Sequence, residues 1–283
     1  MLSAREVGIV AQRELLRNLR STKGIAMFSL FLLGGLIFSM LMSLILSALI
    51  ASAAKRAGMA TIPDDMQRDA WKAFLTEVYD ESIAKHLASA PAVLYALFEG
   101  TLVFLPWLVL LVGFDQLAGE IQHRTIRYTV GRAHRASIVV GKALGVWGVV
   151  SIMVLVLHLT VWVIVLVRGT SSAADVLSWG PRFWLFSSIC AAAYVGYASV
   201  VSSLFRTPIV ALFAGAGGGA VLWVAHRIFQ RFLPGGAWAF PNQYESLLVL
   251  PSVGQVAGGC ALFVAWGAVC VAGATLIMVK RDV

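Results

Sequence analysis

Charge is what this sequence has least of. Only 13% of its 283 residues are Asp, Glu, Lys or Arg, against 59% hydrophobic, and a soluble domain needs about 25% charge to cover its surface. The solvent for most of the chain is therefore lipid. Cysteine is scarce as well: Cys190, Cys260 and Cys270 all fall inside apolar runs, which excludes a disulfide framework and any Cys-x-x-Cys metal pair. They read as small packing residues. A Gly-x-x-x-x-Gly-Lys-Ser/Thr phosphate loop is also missing, since Gly141-Lys142 is followed by Ala143 and the Gly215-Ala-Gly-Gly-Gly219 cluster has no lysine after it. The net charge of +8 comes without a basic face interleaved with aromatics, so nucleic acid is not the expected partner.

What is present is a series of long apolar runs. The first, Ile25 to Ala54, is far longer than the ~7 to 15 apolar residues of a cleaved signal and is expected to stay as an anchor. Six spans are predicted, over residues 25–54, 92–113, 137–167, 183–205, 209–229 and 255–279. Before them, Val7, Val10, Ala11, Leu15, Leu16 and Leu19 alternate at helical spacing with Arg5, Glu6, Arg13, Glu14, Arg17 and Arg20. That pattern predicts an amphipathic helix over residues 1–23 lying in the membrane interface. Residues 55–91 form a hydrophilic insert, with an amphipathic helix marked by Trp71, Phe74, Leu75, Val78, Ile83 and Leu87. Residues 168–182 are expected as a short loop, and 230–254 as a longer connection, either re-entrant or interfacial. The expected fold is an all-α integral membrane protein, a single transmembrane domain over residues 1–283.

Polar residues inside spans are costly and so are candidates for function. Ser39, Ser43 and Ser47 recur every four residues and share a face; Glu99 and His158 lie in the second and third spans. All five are candidates for lining a path, with helix packing as the competing account. Six spans put both termini on one side. On that side lie five Lys/Arg before the first span, five from residue 114 through Lys142 at the start of the third, Arg206, Lys280 and Arg281; the nine on the other side are balanced by nine acids. The positive-inside tendency then makes the termini cytoplasmic, in a multi-pass inner-membrane protein.

Between the second and third spans lies a charged connection, residues 114–136. Glu120-x-x-x-Arg124-Thr125, then Arg135 and Gly141-Lys142, resemble the cytoplasmic loop of type 2 ABC exporter permeases. Arg13-Glu14 in the N-terminal helix and the Lys280-Arg281-Asp282-Val283 ending resemble two further features of that family. This chain departs from the pattern at Arg124, where glycine is common, at Arg132, where proline is common, and at His134, where serine is. The resemblance implies six helices per subunit, a cytoplasmic coupling helix between spans 2 and 3, and a path formed with a second permease copy or a homologous permease. It also implies two separate ABC ATP-binding subunits that hold ATP and Mg, with no cofactor bound by this chain and no ATP hydrolysis of its own. Surrounding lipids complete the partners.

On a continuous helix Glu120, Arg124, Arg127 and Tyr128 would share one face. With Arg13, Glu14, Thr125 and Arg135 they make up the expected ATPase-docking and coupling set. The competing reading treats the charges as a membrane anchor, which accounts for the arginines but not for Glu120. A stand-alone secondary transporter or channel is the alternative function. It calls for charges near mid-membrane on broken helices, whereas this chain offers only Glu99, His158 and His226.

Overall fold

The computed structural model describes residues 3–56, 64–125 and 133–281. Helix α1 (Ala4–Arg20) and α2 (Thr22–Arg56) meet at a sharp elbow. Ser21 breaks the helix with an extended backbone, and its Oγ both donates to the Asn18 carbonyl and accepts from Gly24 N–H, capping the new helix. The turn is so tight that a Cβ on Gly24 would lie 1.6 Å from the Asn18 oxygen. Helices α3 (Asp64–Val78) and α4 (Glu81–Leu87) fold over one pole of the bundle. Then follow α5 (Ala92–Gly113), the short α6 (Ala118–Gln122), α7 (Arg135–Val167), α8 (Ala173–Leu204) and α9 (Pro208–Phe232). Two 3-10 turns (Pro234–Ala239, Pro241–Tyr244) and α10 (Glu245–Leu248) lead into α11 (Val253–Lys280).

Six helices, α2, α5, α7, α8, α9 and α11, are long and apolar enough to cross a membrane, and no strand occurs among the described residues. Their burial is unequal. The most apolar stretches of α5 and α8 are 61% and 67% buried, those of α2 and α9 only 6% and 11%. So α5, α7 and α8 form the core, where Phe98 stacks on Phe183 at 4.9 Å and Met153, Leu157 and Leu105 are sealed from solvent. Helices α2 and α9 stay at the rim, turning residues such as Leu30, Leu44, Phe213 and Val221 outward.

The closest crossing is between α8 and α11. A Cβ on Gly196 would meet the Gly267 carbonyl oxygen at 2.5 Å, and one on Gly267 would meet the Ala192 oxygen at 2.5 Å. Small residues bring the two backbones into contact, the usual way helices associate where lipid supplies no hydrophobic drive.

One region differs from the sequence expectation, and in a second the structure decides between alternatives left open there. The loop expected over 168–182 is mostly helix, because α8 begins at Ala173, ten residues before the apolar run. Ser172 caps it by accepting from Asp175 N–H at 3.1 Å, and Gly180 lies against Trp162, where a Cβ would come within 2.6 Å. Packing and capping thus hold a helix that hydropathy does not mark. The connection after α9 turns back into the bundle: Ala237, Pro241, Tyr244, Leu248 and Val249 are buried, and the Tyr244 ring meets Phe263 at 5.5 Å. Phe263 is about 15 Å below the start of α11 at 1.5 Å per residue, so the connection is a returning segment rather than a surface loop.

The glycine contact gives a direct test. Gly196→Leu or Gly267→Leu must drive α8 and α11 apart, at a cost of at least ~1–3 kcal/mol. The thermal midpoint of the detergent-purified protein should fall by several degrees. Gly273→Leu, whose Cβ faces open space, should leave it unchanged.

Candidate functional site

The polar centre of the molecule is a seam where α1 lies flush on α7. Gly141, Gly145 and Gly148 recur at helical spacing on the α7 face that meets α1. A Cβ on Gly141 would stand 2.7 Å from Val10 Cβ, and one on Gly145 would stand 2.6 Å from Glu14 Cβ and 2.9 Å from the Ala11 oxygen. This glycine groove draws α1 close enough to enclose the one lysine beside it. Lys142 is 2% exposed. Its Nζ donates to Glu14 Oε2 at 3.0 Å and lies 2.8 Å from Glu120 Oε1.

Two more groups complete the set. Arg17 Nη2 donates to Glu14 Oε1 at 2.5 Å, with Glu120 3.9 Å away, and Asn18 Nδ2 donates to Glu14 Oε1 at 3.0 Å. Two cations thus face two carboxylates, drawn from α1, α6 and α7. An isolated ammonium taken out of water costs several kcal/mol even after relaxation. Here each charge has an opposite neighbour, and Glu14 has its remaining lone pairs satisfied.

The turn carrying Glu120 is fixed from below. The Leu117 and Ala118 N–H groups, free donors at the start of α6, both donate to Ser202 Oγ of α8 at 3.0 Å, and Ser202 Oγ donates to the Phe114 carbonyl at 2.8 Å. Gln116 Nε2 donates to Ser199 Oγ at 3.0 Å. Lys23, at the start of α2, pairs with Asp115 at 2.8 Å, donates to the Val112 carbonyl and lies 4.2 Å from the Phe114 ring centroid. Five helices, α1, α2, α6, α7 and α8, therefore converge on residues 112–120.

A second tie joins α1 to the start of α7. Glu6 accepts from the His134 N–H at 3.1 Å, and Ser3 N–H donates to Ser137 Oγ. The His134 backbone N–H, followed by Ser137, holds the Glu6 carboxyl below its ordinary range. Alongside, Arg135 Nη1 donates to the carbonyls of Met278, Val279 and Arg281 at 2.8–2.9 Å, capping the end of α11. Arg281 Nη1 in turn donates to the Ser203 carbonyl near the end of α8.

The residues expected to dock therefore divide. Arg13, Arg124 and Thr125 are exposed. Glu14, at 3% exposure, faces the interior, Glu120 is turned toward Lys142, and Arg135 is spent on the end of α11. Arg127, Tyr128 and Arg132 lie outside the described residues. The continuous helical face through Glu120 and Arg124 does not form: α6 ends at Gln122, and Arg124 takes the left-handed conformation with φ 55°. That is the conformation glycine adopts at least cost.

The candidate path residues do not converge on one cavity. Ser39 donates to the Gly35 carbonyl at 2.8 Å. With Ser43 it borders a cleft of ≈ 20 Å³ between α2 and α7; the side chain of Ser47 lies outside the described residues. His158 is buried in the core, its Nε2 3.4 Å from Thr101 Oγ1 and its ring edge-on to Trp162. Glu99 accepts from Tyr95 Oη at 2.7 Å. An apolar groove of ≈ 240 Å³ lies instead between α2 and α5, lined by Phe31, Phe38, Phe104 and Trp107. What sequence reasoning missed is Lys142 as the hub. Its signal was a lone lysine followed by a long apolar run and flanked by glycines on one face.

In comparison with known sequences, a family model described as ABC-2 family transporter protein matches residues 9–240, a stretch that takes in most of α1, the Glu120 turn and α7. No curated protein matches the chain.

Removing the hub should be costly. Lys142→Met leaves two carboxylates facing Arg17 alone, and a broken buried pair typically costs about 3–5 kcal/mol. Unfolding of purified Lys142→Met should show a loss of that size, and adding Glu120→Gln should restore part of it. Additive losses in the double variant would refute the network.

Proposed function

The chain belongs to the ABC-2 family of transporter proteins and is a multi-pass membrane component of such a transporter; on that premise we propose that it is the permease of an ATP-driven exporter, moved by separate ATP-binding subunits. The observation that carries this reading is the Glu14–Lys142–Glu120–Arg17 set. It makes residues 114–122, the described start of the connection after α5, a mechanical junction. A push delivered to residues 118–122 acts at once on α1, α7 and, through Ser202, on α8. Packed elements of this kind respond as rigid bodies that tilt or shift together.

In this reading α1 lies in the cytoplasmic interface of the inner membrane, and the pole bearing α1, α6 and the end of α11 faces the ATPase. Two ATP-binding subunits supply ATP and Mg, and a second permease copy or a homologous permease faces the rim helices. The Gly141-Lys142 pair is consumed by the seam with α1, and its backbone lies within α7, so it supports packing rather than phosphate binding. Direct contact with the ATPase falls to exposed groups such as Arg13 and Arg124, while Glu120 passes motion inward. The charges anchor and couple in different residues: Lys23 and Arg135 are structural ties, Glu120 and Lys142 the joint.

Coexpression with an ATP-binding subunit encoded beside this chain should give a stable complex whose ATPase activity requires it. Arg124→Glu should weaken the complex. Glu120→Gln should leave the complex intact while lowering transport by about tenfold, as expected for the loss of roughly 1.4 kcal/mol of coupling. A chain that transports without any ATPase, or a Glu120→Gln variant with normal transport, would overturn the assignment.

A further inference from the structure

The apolar groove between α2 and α5 takes no part in the junction described above. It opens on the rim of the bundle, where Leu30, Phe104 and Trp107 are each more than half exposed and exposure means contact with lipid tails. Two glycines shape it. A Cβ on Gly100 would meet the Phe38 ring at 2.4 Å, so that ring rests on bare backbone and meets Phe104 edge-on at 6.3 Å. Gly34 leaves open space: nothing stands within 4 Å of the position its Cβ would take.

Length and polarity decide what fits. On α2 the lining runs from Met27 to Phe38, about 16 Å of helix at 1.5 Å per residue, which is close to one leaflet of a hydrocarbon core ~30 Å thick. Among the lining residues Thr101 carries the one hydroxyl, and it donates to the Leu97 carbonyl at 2.7 Å. Water finds too few polar partners there. A helix, about 10 Å across, is too thick to enter ≈ 240 Å³. A single hydrocarbon chain meets both limits.

The groove ends in charge. Lys23 stands one turn before Met27, and Asp115 one turn after Leu111, so the Lys23–Asp115 pair at 2.8 Å marks the end nearest the elbow. Lys23 Nζ also donates to the Val112 carbonyl at 3.2 Å, which uses two of its three donors, and its side chain is 30% exposed. Arg20, the last residue of α1, is exposed at the same elbow. Two cations thus stand against one acid, a balance that suits a phosphate.

We propose that this groove seats one acyl chain of a phospholipid from the leaflet on the α1 side, with its phosphate held at the elbow by Lys23 and Arg20. The lipid fills the space between a rim helix and the core. The most apolar stretch of α2 is only 6% buried, so a chain lying along it adds apolar contact that the protein alone does not provide. Its headgroup sits at the turn that joins α1 to α2. Neither ATP-binding subunits nor the transported cargo enter into this binding.

The test uses the purified full chain in maltoside micelles, whose detergent carries sugar in place of phosphate. The probe is phosphatidylglycerol with a photoreactive diazirine in one acyl chain, added below saturation, and labelled peptides are located by mass spectrometry. Residues 27–38 and 97–111 should be labelled several-fold more than the lipid-facing stretch of α9. Diacylglycerol with the same diazirine, which lacks the phosphate, should label the groove no more than it labels α9. Gly34→Phe, which places a ring in the open space, should bring groove labelling down to the α9 level without lowering the thermal midpoint. Arg20→Gln should lower it about fivefold. Equal labelling of groove and α9, equal labelling by the two probes, or labelling unchanged in either variant would overturn the site. A groove labelled by neither probe, in a chain that is dimeric in the same micelles, would assign this face to a second copy instead.

Discussion

One buried ammonium organises the half of the molecule where function is concentrated. Lys142 stands near the start of a helix whose next twenty-five residues are almost wholly apolar, and an unpaired charge there would prevent the helix from packing. Its neutralisation requires a carboxylate from α1 and another from α6. The seam of glycines on α7 is what lets α1 come close enough to supply the first, and the Ser202 hydroxyl presents the second by holding the turn before α6. Small residues, capped donors and paired charges are thus parts of one arrangement. Each is satisfied only in the presence of the others.

Polar groups are used in two ways. At the α1 pole every carboxylate in the junction has a basic neighbour, so the charges balance and tie helices together. Further along the bundle tyrosines stand in for cations around Glu99 and Glu245. Within about 12 Å of its length, α8 serves several of these contacts: Tyr194 meets Glu245, Gly196 makes the crossing with α11, and Ser199 and Ser202 hold the turn before α6. A motion of α8 relative to α5 would be felt at all of them.

The spans were legible because apolar runs of twenty or more residues have few other physical meanings. Glu120 was legible for a related reason: an acid beside a membrane span invites the question of what it pairs with. Its answer was not, since Glu14 and Lys142 lie far from it in sequence and only the glycine-lined seam brings them together. The same limit explains the miss at Ala173. Its helix is stabilised by the Ser172 cap and by Gly180 against Trp162, neither of which leaves a periodic apolar signal. The shared face drawn through Glu120 and Arg124 failed because a left-handed residue ends the helix between expectation and observation. Segment 234–250 carries no periodicity at all, and its fold is dictated by the helices it leans on.

The four-residue charge set also constrains how such a chain can change over time. Lys142 cannot drift to an apolar residue while Glu14 and Glu120 remain, and neither acid can be lost alone without leaving a cation exposed to the interior. The α1 stretch lies some hundred residues of chain before the other two, yet substitutions in all three are bound to one another by strong epistasis. Descendants of this sequence should keep the set whole or exchange it whole. Correlated variation among positions 14, 120 and 142 would be the evolutionary trace of a single buried proton-bearing amine.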